Sequence, residues 1–308
     1  MTHWAVLGGG GIAPSHIISL QRVPGVQLVG VADVDAAART RIEEMFRVTA
    51  YPSIETLFSE ARPDAVTIAL PAPLHLPAAR LAAEHGVSVL CEKPLANSTA
   101  ECDEMIAACK AAGVQLGAIL NNRGYAQTRW IKAAIDAGWW TPRLVSVRGA
   151  MGRLDSSSTT MVFSLAIHYL DQMRWWLGDP LEASGLTQDG VVLAMIRFRN
   201  ACGDLHLAGV GRRSMGVKVD IEGEEGRLTL GRYGIESFEG EFGPPPAWDT
   251  EVEGMAFGAG HLTVIREAAE ALRRGEPFPV PGEVGRAAVA LCEAIVRASE
   301  THQWEKVG

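Results

Sequence analysis

Between residues 3 and 120 five short apolar runs recur: HWAVLG (3–8), VQLVGVAD (26–33), DAVTIALP (64–71), VSVLCEKP (87–94) and VQLGAIL (114–120). They are apolar along most of their length rather than at every second position, the mark of strands covered on both faces. Stretches of helical spacing separate them, at 12–21, 36–46, 76–86 and 98–113. The last opens on a Ser/Thr cap signal, carries acids in its first turns and stops at a glycine. Strands alternating with helices at this interval predict a doubly wound α/β domain with a parallel sheet.

After residue 122 the rhythm changes. A helix is predicted over 126–138, a strand over 144–151 and a helix over 161–177. Strands then dominate: VVLAMIRFR and DLHLAGVG flank the turn-like NACG, and GVKVDIEG and GRLTLG follow. GPPPAWD (243–249) reads as a stiff loop, and helices over 261–274 and 283–300 follow it. The expected division is a dinucleotide-type domain over 1–122 and an α+β domain with a mostly antiparallel sheet over 123–308.

Composition excludes several functions. The net charge is −8 without a long basic run, which removes the electrostatic footprint of a nucleic-acid binder. No apolar run reaches eighteen residues and MTHWAVLGGGG lacks a basic leader, so neither a membrane partner nor a signal peptide is expected. Five cysteines without CxxC spacing point to reduced thiols and a cytoplasmic setting.

The first run ends in Gly8-Gly9-Gly10-Gly11, and the register Gly8-x-Gly10-x-x-Ala13 fits a dinucleotide loop. In such a loop one glycine makes the turn, the next admits a pyrophosphate, and a small third residue packs helix on strand. Gly8, Gly10, Gly11, Ile12 and Ala13 are therefore candidate cofactor contacts, at a helix N-terminus whose N–H groups face phosphate. Asp33 lies 25 residues beyond Gly8, placed to bind a ribose diol and to repel a 2′-phosphate. This favours NAD; NADP is the alternative, through Arg39 and Arg41 downstream. Pro71 ends the third run and His75 follows it, and Glu92 and Lys93 lie near the end of the fourth. Ligands of parallel sheets bind beyond the carboxyl ends of the strands, so these four complete the candidate cofactor set. A lysine there can polarise a substrate oxygen for hydride transfer.

The succession GxGxxA, Asp33, Pro71-Ala72-Pro73-Leu74-His75, Glu92-Lys93-Pro94, Asn122-Arg123 and His168-Tyr169-Leu170-Asp171 resembles a known family. It is similar to the glucose–fructose oxidoreductase, inositol dehydrogenase and rhizopine catabolism family of nicotinamide-dependent oxidoreductases, nearly from end to end. The resemblance implies a Rossmann domain and a C-terminal domain with a large open sheet that pairs into homodimers or homotetramers. It also implies hydride exchange at a secondary alcohol or ketone of a sugar or cyclitol-like small molecule. Lys93 then matches the catalytic or substrate-orienting cation, and His168 the general acid/base.

Helical spacing places Ser164, His168 and Asp171 on one polar stripe. The family pattern ahead of the histidine is Asp-x-Gly-x-His, where this chain has Ser164-Leu165-Ala166-Ile167-His168. A serine hydrogen-bonds but brings no charge. Asp155, in the polar loop before the helix, is a candidate replacement acid. Asn122, Arg123, Tyr125 and Ser164 are further candidate substrate contacts. No metal is expected at His168, which lacks companion ligands at useful spacing. Two alternatives stand beside the sugar dehydrogenase: a reductase of a small non-sugar carbonyl or imine, and a dinucleotide-binding regulator with weakened chemistry.

Overall fold

The computed structural model describes residues 1–152, 157–211, 214–231, 234–240 and 259–308. Asp155 and the proline-rich run 243–249 lie outside the described residues. The chain forms two units, Met1–Gly124 with Gly254–Arg286, and Tyr125–Glu253 with Ala287–Gly308.

In the first unit β1 (Thr2–Leu7), β2 (Val26–Ala32), β3 (Ala50–Tyr51), β4 (Ala65–Ile68), β5 (Ser88–Glu92) and β6 (Leu116–Ile119) form one parallel sheet. Its order is β3-β2-β1-β4-β5-β6, so the winding reverses between β1 and β4 and opens a crevice at their carboxyl ends. All five runs read from the sequence are strands of this sheet, and the two-residue β3 adds an edge. The crossovers are α1 (Ala13–Arg22), α2 (Ala36–Phe46), α3 (Ile54–Ala61), α4 (His75–Glu84) and α5 (Thr99–Ala111). Their starts follow from their caps: Asp35 accepts from the Ala37 N–H, Ser53 from Thr56 and Ser98 from Glu101.

This unit does not end where the rhythm of the sequence changes. A further helix from late in the chain, Ala259–Arg274, buries Leu262, Val264, Ile265 and Ala268 in one core with Trp4, Val6, Ile17 and Leu20. Each of the larger side chains contributes roughly 1.5–3 kcal/mol by leaving water. Close approach is built in: a Cβ on Gly124 would stand 2.2 Å from the Gly260 carbonyl oxygen. Periodicity shows that a helix has an apolar face, not which core receives it, so a single cut near residue 122 is too simple.

The second unit holds α6 (Ala126–Asp136), β7 (Pro142–Gly152), α7 (Ser158–Met161), α8 (Ile167–Leu177) and an eight-stranded sheet. After β7 the strands are β8 (Glu182–Gln188), β9 (Val191–Arg197), β10 (Cys202–Gly211), β11 (Gly216–Gly223), β12 (Gly226–Gly231), β13 (Gly234–Gly240) and β14 (Glu305–Lys306). Their order is β13-β12-β11-β7-β10-β9-β8-β14, and only β7 and β10 run parallel. With Ala259–Arg274 counted as α9, the remaining helix is α10 (Gly282–Thr301), whose first turn belongs to the first unit. The sheet is open on one face: along β9, Val192, Ala194 and Ile196 are buried while Leu193 and Met195 face outward.

Candidate active site

The nucleotide loop comes first, because the turn after β1 requires glycine. Gly8 has φ +105°, and a Cβ there would meet the Ala69 carbonyl oxygen at 2.6 Å. Beyond Gly10 and Gly11 a Cβ would meet nothing within 4 Å, so the backbone is open to a ligand on that side. Ala13 is fully buried, as the small packing residue of the fingerprint must be. Pro14 lies in the first turn of α1, where the missing N–H costs no helical bond.

Asp33 leaves β2 toward this loop. Its Oδ2 accepts the Gly9 N–H at 2.6 Å and its Oδ1 accepts the Asp35 N–H at 2.8 Å. A carboxylate has about four acceptor positions, so two backbone bonds leave room for a diol. The arginines downstream are engaged elsewhere. Arg39 donates to the Asp33 and Val34 carbonyls at 2.8 and 3.0 Å, and Arg41 donates to the Gly9 carbonyl at 2.8 Å. Beside Asp33 lies a cavity of ≈ 270 Å³, walled by Val34, Ile54, Leu70, Leu74, Pro77 and Leu81. An apolar slot next to a ribose-directed carboxylate suits an adenine ring. The residues present therefore fit NAD.

Lys93 stands at the carboxyl end of β5, half-buried and followed by a cis peptide bond to Pro94. Partial burial lowers its pKa, while the charge of Glu92 acts in the opposite sense. Glu92 itself turns inward. Its Oε1 accepts from His16 Nε2 at 3.1 Å and from His261 Nε2 at 3.0 Å, and its Oε2 accepts the Lys93 backbone N–H at 3.1 Å. Burial alone would raise the Glu92 pKa, but the hydrogen bonds from the two imidazoles outweigh it and hold the carboxyl well below the usual range. Burial pushes His16 down. The sequence does not show that His16 and His261 meet at Glu92. The available signal was position: His16 falls among the buried residues of α1, beside Ala13, Ile17 and Leu20.

His75 is a brace rather than an open cleft side chain. It is buried, with Nδ1 at 3.0 Å from the Pro94 carbonyl and Nε2 at 2.8 Å from the Leu70 carbonyl. Pro71 caps the short 3-10 turn Ala72–Leu74 just before it. Asn122 and Arg123 lie in a second 3-10 turn, Asn121–Gly124, which packs against α9.

The second unit carries Tyr125, Ser164 and His168. Tyr125 precedes α6 at its N-cap, and its carbonyl accepts from the Thr128 hydroxyl at 2.8 Å. The helix read over 161–177 is not uniform: Val162–Ala166 is a π-helical turn and regular α8 starts at Ile167. A π turn rotates less per residue than an α-helix, so even 100° steps misplace Ser164 relative to His168. Ser164 is exposed, His168 half-buried and Asp171 buried, 3.7 Å from Arg174. The predicted stripe is therefore divided. π turns recur at functional sites, and this one sits where the sequence departs from Asp-x-Gly-x-His. Burial, aided by Tyr125, raises the Tyr169 hydroxyl to about 12.

Comparison with known proteins covers both units. Residues 2–119 match a family described as an oxidoreductase family with an NAD-binding Rossmann fold, and residues 155–307 match that family's C-terminal alpha/beta domain. A D-apiose dehydrogenase of Paraburkholderia graminis is 27% identical, over 94% of this chain and 85% of that protein. An inositol 2-dehydrogenase of Rubrobacter xylanophilus is 30% identical, over 73% of this chain and 70% of that protein. Among solved structures, the WlbA dehydrogenase of Bordetella pertussis in complex with NADH and UDP-GlcNAcA shares the fold, with TM-score 0.86 and 22% identity. That match covers 100% of this chain and 98% of that one.

Proposed function

Because the chain belongs to the glucose–fructose oxidoreductase, inositol dehydrogenase and rhizopine catabolism (Gfo/Idh/MocA) family of NAD-dependent oxidoreductases, we propose that it interconverts a secondary alcohol and a ketone on a sugar or cyclitol-like substrate. NAD, when bound, takes or returns the hydride. Gly8 to Ala13 and Asp33 hold the cofactor. Lys93 binds the reacting oxygen and polarises it, and His168 takes or returns the proton of that oxygen. Asn122, Arg123, Tyr125 and Ser164 bind the remaining substrate hydroxyls.

The observation that carries this reading is the placement of Lys93. It stands half-buried at the carboxyl edge of the same sheet that presents the glycine loop and Asp33. An ammonium at that edge, with its pKa lowered by burial, is suited to polarise a substrate oxygen.

The test is a cofactor-coupled absorbance screen of sugars, cyclitols and simple carbonyls with the wild-type chain, Lys93→Ala and His168→Ala. Turnover on a polyol, lost about a hundredfold or more in each variant, is expected. Turnover only on simple carbonyls favours the small-substrate reductase, a reading that rests on Ser164 in place of a carboxylate. NADH binding without turnover on any substrate returns the regulator.

Homodimers or homotetramers form through the open face of the eight-stranded sheet in this reading, where Leu186, Leu193 and Met195 lie exposed on adjacent strands. A cytoplasmic location is supported by five cysteines that are all thiols, and no described helix is long and apolar enough to cross a membrane.

A further inference from the structure

Glu92 sits at the centre of a buried cluster drawn from three elements of the first unit. His16 comes from α1, Glu92 from the end of β5 and His261 from α9, at relative exposures of 0%, 6% and 5%. Carboxylate oxygens only accept, so both imidazoles donate through Nε2 and their Nδ1 atoms are left as acceptors. Among the described residues neither Nδ1 has a hydrogen-bond partner. Two buried, unpaired nitrogens cost free energy. An arrangement that leaves both unpaired in order to place two donors on one carboxylate oxygen suggests that the carboxylate is what is being fixed.

What Glu92 then fixes is its neighbour. Its second oxygen accepts the Lys93 backbone N–H at 3.1 Å, closing the side chain under the peptide that carries the lysine. From α4, His75 reaches the Pro94 and Leu95 carbonyls at 3.0 and 3.2 Å. The segment is thus held by three helices, one of them the helix of the glycine loop.

We propose that His16 and His261 are positioning residues for Lys93, acting through Glu92. They keep the carboxylate anionic and immobile, so that its charge supports the ammonium at the site edge and its second oxygen holds the lysine backbone. This rests on the reading of Lys93 as the substrate-orienting cation. Lys93 and Cys91 on β5 lie beside Glu92, and Cys102 and Cys109 on α5 lie beside Cys91. With the thiols neutral, Glu92 supplies the negative charge among these groups. The ligand atoms of His16, Glu92 and His261 lie within 4.8 Å of one another, which also admits a divalent cation. Among the described residues, however, neither Nδ1 meets the acceptor that orients a metal-bound imidazole.

The experiment uses the full chain and reads Lys93 without relying on turnover. Wild type, His16→Leu, His261→Leu, His16→Gln, His261→Gln and Glu92→Gln are labelled at pH 8 by reductive methylation, and peptides are quantified by mass spectrometry with exposed Lys110 as internal reference. Loss of a donor frees the carboxylate to turn away from Lys93, and Glu92→Gln removes its charge altogether; both withdraw negative charge from the ammonium. Labelling of Lys93 relative to Lys110 therefore rises at least about threefold in the leucine variants and in Glu92→Gln. The alkaline limb of kcat/KM moves to lower pH, and kcat falls about tenfold with NADH affinity within about twofold. Glutamine retains an N–H donor and restores both readouts. Unchanged labelling in leucine variants that still bind NADH overturns the proposal. Should the leucine variants fail to bind NADH, unchanged labelling in Glu92→Gln overturns it instead. A stoichiometric divalent metal in the purified protein, lost in the glutamine variants, also overturns it. Ordinary turnover in Lys93→Ala sinks the role of the lysine in catalysis but leaves the labelling comparison standing, so the two failures are distinguishable.

Discussion

In the six-stranded sheet β4 and β5 are buried at every position, whereas along β9 of the eight-stranded sheet buried Val192, Ala194 and Ile196 alternate with outward Leu193 and Met195. A parallel sheet with helices on both faces leaves only its ends accessible, so a ligand is met beyond the strand termini, where Gly8, Asp33 and Lys93 stand. A sheet covered on one side offers a broad second face instead. The first arrangement suits a deep cofactor crevice, and the second suits an extended surface for another protein chain.

This contrast can be tested by placing one charge in each sheet. Val6→Asp puts a carboxylate where no water reaches, at a cost of more than about 4 kcal/mol, and soluble folded protein should be lost. A folded Val6→Asp protein, by circular dichroism and NADH binding, would break the comparison at its strongest point. At the strand ends the expected effect is on binding rather than folding. Asp33→Ala removes a charged hydrogen-bond acceptor from the cofactor, roughly 1.5–3 kcal/mol, so NAD affinity drops about ten- to hundredfold. The preference for NAD over NADP narrows at the same time, which fluorescence titration of both cofactors would show.

Buried ionisable groups should make the first unit sensitive to acid. The folded-state pKa of Glu92 is depressed, so its stabilisation is full above its ordinary value of 4.5 and is lost as pH falls through it. His16 is also depressed, so below its ordinary value of 6.5 the unfolded chain takes up a proton that the folded chain refuses. Both act in one direction: urea midpoints should decline below pH 6.5 and more steeply below 4.5. Glu92→Gln should flatten the steeper part and cost about 1–3 kcal/mol at neutral pH. The smallest effect on folding belongs to the open face. Met195→Asp should change stability by less than about 0.5 kcal/mol, yet shift any oligomer toward monomer by light scattering.

The sequence discloses these regions unevenly. Continuous apolar runs marked every strand of the parallel sheet except β3, whose two residues are too short to show a period. The stop at Gly178 was legible, and the structure gives that glycine φ +88° at the end of α8. β8, β13 and β14 were not read, because EASGLTQ and GIESFEG are largely polar and small, and a two-residue strand has no pattern. The glycine loop, Asp33 and Lys93 announce themselves through spacing tied to strand ends. The π turn before His168 does not, since one added residue per turn leaves no mark on composition. His16 and His261 are 245 positions apart, and nothing local says that they meet one carboxylate.

The late helix α9 sets an order of events during synthesis. The core of the first unit lacks Leu262, Val264 and Ile265 until those residues have been made. At roughly 5–20 residues per second, the interval between β6 and α9 lasts on the order of ten to thirty seconds. For that time Trp4, Ile17 and Leu20 face a vacancy, and the nascent sheet is exposed to chaperones or to aggregation. The nucleotide loop is translated well before α9, yet Glu92 gains its second imidazole only when His261 arrives. The core behind the nucleotide loop and the buried partners of Glu92 are thus completed by one and the same late helix.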